Sequence, residues 1–267
     1  MGKDLTFKEK VEYFMYPFMF ELEAALKDRT DELKSINFHA DEANTDRELK
    51  EYMKELIETS LTKLPNTQKQ FKLNYINSKE YTLTFSYEDF GNIIISKVYL
   101  PDEINDEIKS IVKKENSVYT NPDLTLEITN GKEKTYVPVE LKSTKTNSIP
   151  GSSIQQITPT EWVVFIKHTK NEIVVTTGQY IYAVNYAMQF PDRSPRPQVA
   201  FNELEKWNKE YRNFSEVSKE DEILTISISE DLFKSKIELL EDWQGTLVDR
   251  WLGVIKQSTI KRNEPWF

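Results

Sequence analysis

Pro122-Asp123-Leu124-Thr125-Leu126-Glu127-Ile128-Thr129-Asn130-Gly131-Lys132-Glu133-Lys134-Thr135-Tyr136-Val137-Pro138-Val139-Glu140-Leu141-Lys142-Ser143-Thr144 is the stretch on which the fold turns. From Asp123 to Thr129 apolar and polar residues alternate with period two. Leu124, Leu126 and Ile128 therefore share one face of a strand, and Asp123, Thr125 and Glu127 the other. Asn130-Gly131 is a hairpin turn signal. The return segment, Thr135 to Thr144, alternates again, with Val137, Val139 and Leu141 on one face and Glu140 and Lys142 on the opposite one.

The length of the turn sets the register. A two-residue turn at Asn130-Gly131 pairs Asp123 with Pro138 and makes Glu140 its diagonal neighbour on the same face. A four-residue loop over 130–133 puts Asp123 directly opposite Glu140. Any even loop keeps Asp123, Glu140 and Lys142 together, whereas an odd loop or a bulge separates them. Directly opposed residues have Cβ atoms ~4.5–5.5 Å apart, close enough for two carboxylates to share one cation. Two carboxylates and a lysine so arranged can form a magnesium site for cutting a phosphodiester.

The letters alone do not single out this copy. Glu32-Leu33-Lys34 and Glu48-Leu49-Lys50 read identically, and Pro101-Asp102 precedes Glu107-Ile108-Lys109. The first two lie among charged residues of helical character. Asp102 to Lys109 reads as a helix start, too short for two strands and a turn, and Pro191-Asp192 has no acid-x-Lys triplet in a strand-like setting downstream. Only the copy at Asp123 and Glu140 sits on a hairpin.

The whole chain, 267 residues, can bury a sizeable core. No apolar run reaches the ~18 residues of a membrane span, and Met1-Gly2-Lys3-Asp4 lacks the apolar stretch of a signal peptide. The expected location is the cytoplasm of a prokaryote. The absence of cysteine excludes disulfides and thiolate-bound zinc, and His39 and His168 alone cannot make a histidine-rich metal site. A net charge of −9 argues at first against a nucleic-acid partner. Residues 141–200, however, carry an excess of three positive charges, from Lys142, Lys145, Lys167, Lys170, Arg193 and Arg196 against Glu161, Glu172 and Asp192. A cationic stretch in an acidic body suits a DNA cleft.

Helices are expected at Thr6–Lys27, whose aromatic stripe reads as core or a dimer contact, and at about 46–62, with a polar connection over 28–45 between them. Strand-like runs follow at Phe71–Ile76, Tyr81–Tyr87 and Asn92–Leu100, then a helix over 103–114 before the hairpin. After it, Ser148-Ile149-Pro150-Gly151-Ser152-Ser153-Ile154-Gln155-Gln156 reads as a tight turn into a short helix. Buried strands are expected at 162–167 and 172–177. The segment 191–198, with three prolines, reads as a stiff cationic loop. A helix over 201–211, a strand over 223–229 and a long helix over 231–257 complete the chain, taken as one domain with a helical part (1–66), a sheet core (67–200) and a C-terminal helical part (201–267).

Pro122-Asp123, Glu140-Leu141-Lys142 and the Ser148–Gln156 stretch resemble the PD-(D/E)xK nuclease superfamily, and within it type II restriction endonucleases. The specific likeness spans about residues 121–200. It implies an α/β (α+β) fold with a mixed central β-sheet flanked by helices, a homodimer, and Mg²⁺-dependent hydrolysis of double-stranded DNA leaving 5′-phosphate and 3′-hydroxyl ends. Asp123 and Glu140 would hold Mg²⁺, with the Leu141 carbonyl as a further ligand, and Lys142 would orient the attacking water and stabilise developing charge. Some members add an acid from an early helix, for which Glu51, Glu55 and Glu58 are candidates. Arg193, Arg196 and Gln198 are the first choice for reading base edges, and Ser152, Ser153, Gln155 and Gln156 the second. Lys145 and Asn147 are assigned to phosphate. A repair or recombination nuclease of the same superfamily and a non-catalytic DNA-binding protein are the alternatives.

Overall fold

A computed structural model describes residues 5–36, 47–76, 81–112, 122–151, 158–170, 172–188, 197–218 and 221–241, with 249, 252, 253 and 256. Helix α1 (Phe7–Lys27) starts where the sequence supplies a capping box: the Thr6 hydroxyl accepts the Glu9 N–H, and the Glu9 carboxylate accepts the Thr6 N–H. The connection expected to be polar coil contains a short helix, α2 (Thr30–Ser35). The second expected helix is α3 (Arg47–Ser60). Next come β1 (Gln70–Ile76), β2 (Tyr81–Ser86), β3 (Ile94–Tyr99) and helix α4 (Asp106–Val112).

The hairpin forms as β4 (Leu124–Thr129) and β5 (Lys134–Thr144), and a short strand, β6 (Ser148–Pro150), follows. The two buried runs are β7 (Trp162–His168) and β8 (Ile173–Gln179). Beyond them lie α5 (Tyr180–Ala183), β9 (Val184–Met188), β10 (Pro197–Ala200) and α6 (Phe201–Tyr211). The chain continues through β11 (Arg212–Ser218), β12 (Asp221–Ser229) and α7 (Glu230–Glu241). The helix expected to continue to 257 runs into residues mostly outside those described.

A mixed central sheet was the expectation, and the described residues form three sheets. A five-stranded mixed sheet runs β3-β4-β5-β7-β8, a four-stranded sheet β11-β12-β1-β2, and a three-stranded sheet β6-β10-β9. In the first, β3, β4 and β5 form an antiparallel meander, β7 runs parallel to β5, and β8 is antiparallel to β7. In the second, β12 returns from the far end of the chain to lie parallel to β1, with Leu73 beside Ile226. The protein is thus mixed α/β, its sheets flanked by helices. Among the described residues, no helix is long and apolar enough to cross a membrane.

Helix α1 lies between the two larger sheets, which is why its aromatic residues run round so much of its surface. Tyr16 meets Trp162 of β7 edge-on at 4.9 Å and stacks on Phe71 of β1 at 6.1 Å. Tyr13 contacts Phe85 of β2, and Phe20 contacts Phe214 of β11. Phe14, Phe18, Leu22 and Leu26 are buried between them. Of the two readings of that stripe, these residues serve the core.

Candidate functional site

The loop between β4 and β5 settles the register. Thr129 pairs with Lys134 and Leu124 with Val139, so the loop is the four-residue alternative, 130–133. Asn130 builds it: its side-chain oxygen accepts the N–H groups of Lys132 (2.9 Å) and Glu133 (2.8 Å). Gly131 has φ of 85°, a conformation that side chains with a Cβ resist. Asp123 stands one residue before the ladder, at the position opposite Glu140. Parity holds through β5, so Glu140 and Lys142 share its face.

Asp123 is buried, and each of its oxygens has a partner from a different element. Oδ2 accepts the Leu141 N–H at 2.9 Å, and Oδ1 lies 2.7 Å from the Lys50 ammonium of α3. Lys142 Nζ donates to Glu140 Oε1 within the same strand. Burial and the charge of Glu140 push the Asp123 carboxyl above the usual carboxylate range, while Lys142 and Lys50 pull the other way. Burial would lower the Lys142 ammonium, but Glu140, Tyr180 and Asp123 outweigh it and hold it above the usual lysine range. Two carboxylates and two ammonium groups thus cluster on a nearly dry surface.

Helices leave this patch between them. On the same face of the sheet, farther toward β8, α6 packs closely: a Cβ on Gly178 would come within 2.7 Å of Leu204, and Phe201 meets Phe165 edge-on. Asn208 of α6 also donates to the Thr176 hydroxyl at 2.7 Å. Toward the loop end of the hairpin, Ile104 and Ile108 from the α4 region cover Tyr136. The opposite face belongs to α1, where the Thr177 hydroxyl donates to the Met19 carbonyl. Helix α3 closes the β3 edge, with the Glu58 carboxylate accepting the Val98 N–H at 2.8 Å.

No family model, curated protein or solved structure matches this chain.

The donors of the site suit one hard divalent cation. Mg²⁺ is usually held by one or two carboxylates, with water and substrate oxygens completing its shell. Asp123 and Glu140 are two such carboxylates, and burial together with the charge of Glu140 raises the proton affinity of Asp123. In an extended strand the N–H and C=O of one residue point to the same side. The Leu141 N–H reaches Asp123, so its carbonyl is aimed past the start of β4 too. Thr125, two residues along β4 on the same face, keeps a buried hydroxyl with no hydrogen-bond partner among the described residues. No cluster of three metal-binding side chains occurs among the described residues.

Of the other residues named from the sequence, those among the described residues are dispersed. Glu51 pairs with Arg47 at 2.6 Å on the exposed side of α3, Glu55 is exposed, and Glu58 is the β3 edge cap. Helix α3 brings a lysine to Asp123 rather than an acid. Lys145 is exposed in the turn after β5. Asn147 holds the start of α6: its carbonyl accepts the Phe201 N–H at 2.8 Å, and its Oδ1 accepts the Asn202 N–H at 3.3 Å. Gln198 lies half-buried in β10, opposite Pro150. Ser152, Ser153, Gln155, Gln156, Arg193 and Arg196 lie outside the described residues, as does Pro191-Asp192.

Lys50 is the site residue that sequence reading missed. It is the last letter of Glu48-Leu49-Lys50, one of the lookalikes of the motif. No local pattern signals that a helical lysine will meet a carboxylate so far along the chain.

Proposed function

We propose that this chain is a Mg²⁺-dependent endodeoxyribonuclease of the type II restriction class, acting on double-stranded DNA as a homodimer. The observation that carries this reading is the joint placement of Asp123, Glu140 and Lys142 on one face of the β4–β5 hairpin, carboxylate against carboxylate. Support also comes from the sheet around it. An antiparallel β3–β4–β5 meander with β7 parallel to β5 suits the fold that the motif's resemblance implies.

On this reading Asp123, Glu140 and the Leu141 carbonyl would hold Mg²⁺. When bound, the ion supplies charge neutralisation and a more acidic water. The protein groups do the rest. Lys142, as an ammonium fixed by Glu140, donates to the water and to the phosphate oxygens as negative charge accumulates on them. The water oxygen forms a bond to phosphorus, the bond from phosphorus to the 3′ oxygen breaks, and that oxygen leaves with a proton as a 3′-hydroxyl. The site lies between the parts of that face that α4 and α6 cover, and the cationic 141–200 segment begins at it in sequence.

Incubation with plasmid and genomic DNA, with Mg²⁺ and with EDTA, tests the proposal. Discrete bands that require Mg²⁺ support it. A smear or loss from ends points instead to a repair nuclease, and intact DNA to a binding protein.

A further inference from the structure

Lys50 is the member of the charged group that neither the hairpin nor the cutting chemistry calls for. It reaches Asp123 from α3 on a flexible stem, and the two side chains are only 18% and 11% exposed. Asp123 Oδ2 is tied to the backbone of β5, so Oδ1 is the oxygen whose known partner can leave without disturbing a strand. Lys142 is differently placed, being fixed to Glu140 two residues away on the same strand. Lys54, one turn farther along α3, is committed to Glu103 at 2.6 Å and is no substitute.

An ammonium on Oδ1 and a divalent cation held by Asp123 and Glu140 need the same lone pairs. They also repel each other strongly at such short range in a partly buried place. We infer that Lys50 is an internal stand-in for the metal, neutralising Asp123 in the metal-free protein and leaving it when the divalent cation binds. The inference rests on the metal-site reading above and adds to it a residue that sets how readily the site loads. Two consequences follow. The carboxylate pair stays assembled without metal, because each acid has a lysine. Binding of metal also liberates a cation at the rim of the site, where a DNA phosphate can take it. By reciprocity, DNA that engages Lys50 tightens metal binding.

The test is a calorimetric titration of Mg²⁺ and Mn²⁺, without DNA, into the wild type, Lys50→Met and Asp123→Asn proteins. It is run at pH 8 so that a proton does not replace the lysine on Asp123. Lys50→Met should bind metal about tenfold more tightly than the wild type, and Asp123→Asn should bind it far more weakly. Equal or weaker binding by Lys50→Met, with the wild type still dependent on Asp123, overturns the role of Lys50 and leaves the metal site standing. If Asp123→Asn binds as well as the wild type, the metal-site reading itself falls, and this inference with it. A second measurement needs no variant: acylation of surface lysines in the wild type, mapped by mass spectrometry. Labelling of Lys50 should rise several-fold on saturation with Mg²⁺, and unchanged labelling contradicts its displacement.

Discussion

At Asp123 a single carboxylate is gripped by a backbone N–H from β5 and an ammonium from α3, and is crowded by Glu140 across the hairpin. Asp123→Asn, Glu140→Gln and Lys142→Met should each reduce Mg²⁺-dependent DNA cleavage by at least about 10²–10³-fold, the usual effect of removing one group from such a constellation. Binding of the same DNA, followed by gel shift in Ca²⁺, should change little, because phosphate contacts made elsewhere dominate affinity. Gly131 gives a second prediction at this scale. A Cβ there meets open space, so the cost of Gly131→Val is conformational alone. It should be about 1–2 kcal/mol, seen as a fall in melting temperature of about 2–4 °C per kcal/mol. Asp123, Glu140 and Lys142 were legible in the sequence because strand parity fixes which side chains share a face. Lys50 was not, because its partner is set by how α3 packs along β3, and no period in the sequence encodes that.

Helix α1 is held to both large sheets through Glu23, whose carboxylate is buried but fully engaged. Oε1 receives Arg212 of β11 at 2.7 Å and also Lys27, while Oε2 receives the N–H of Thr177 in β8. Burial would raise this carboxyl, but Arg212 and Lys27 outweigh it and keep it below the usual range. Glu23→Gln leaves Arg212 uncompensated in a site where it is 12% exposed. Unfolding by urea should show a loss of about 3–5 kcal/mol at neutral pH. The sign of the pH dependence follows from the lowered folded value. The contribution is complete above the unfolded glutamate value of ~4.3 and fades as pH falls through the folded one, so wild type and variant should converge in acid. Among the elements, α1, α3, α6 and the β4–β5, β7 and β8 strands were readable from period and capping. Strand β11 was not: Arg212-Asn213-Phe214-Ser215-Glu216 carries one large apolar side chain and lies at a sheet edge, so burial leaves little pattern on it.

Across the whole molecule, the mixed α/β class was legible, while the division into three sheets was not. Pairing β1 with β12 joins residues 70–76 to residues 223–229, and the decision rests on α1 presenting aromatic residues to both sides at once. The net charge of −9 also acts at this scale. DNA affinity should fall steeply with added salt, since binding has to come from a local cationic surface on a repelling body. The proposed homodimer predicts sedimentation at twice the chain mass at micromolar concentration, and a persistent monomer would remove the dimer from the proposal. The central claim is that Asp123 and Glu140 form a metal site that cuts DNA. It is tested most directly by comparing plasmid cleavage by the wild type and by Asp123→Ala, with Mg²⁺ and with EDTA. The account predicts discrete fragments from the wild type with Mg²⁺ alone, and from Asp123→Ala intact DNA that is still bound. Cleavage by Asp123→Ala, or by the wild type in EDTA, would contradict it.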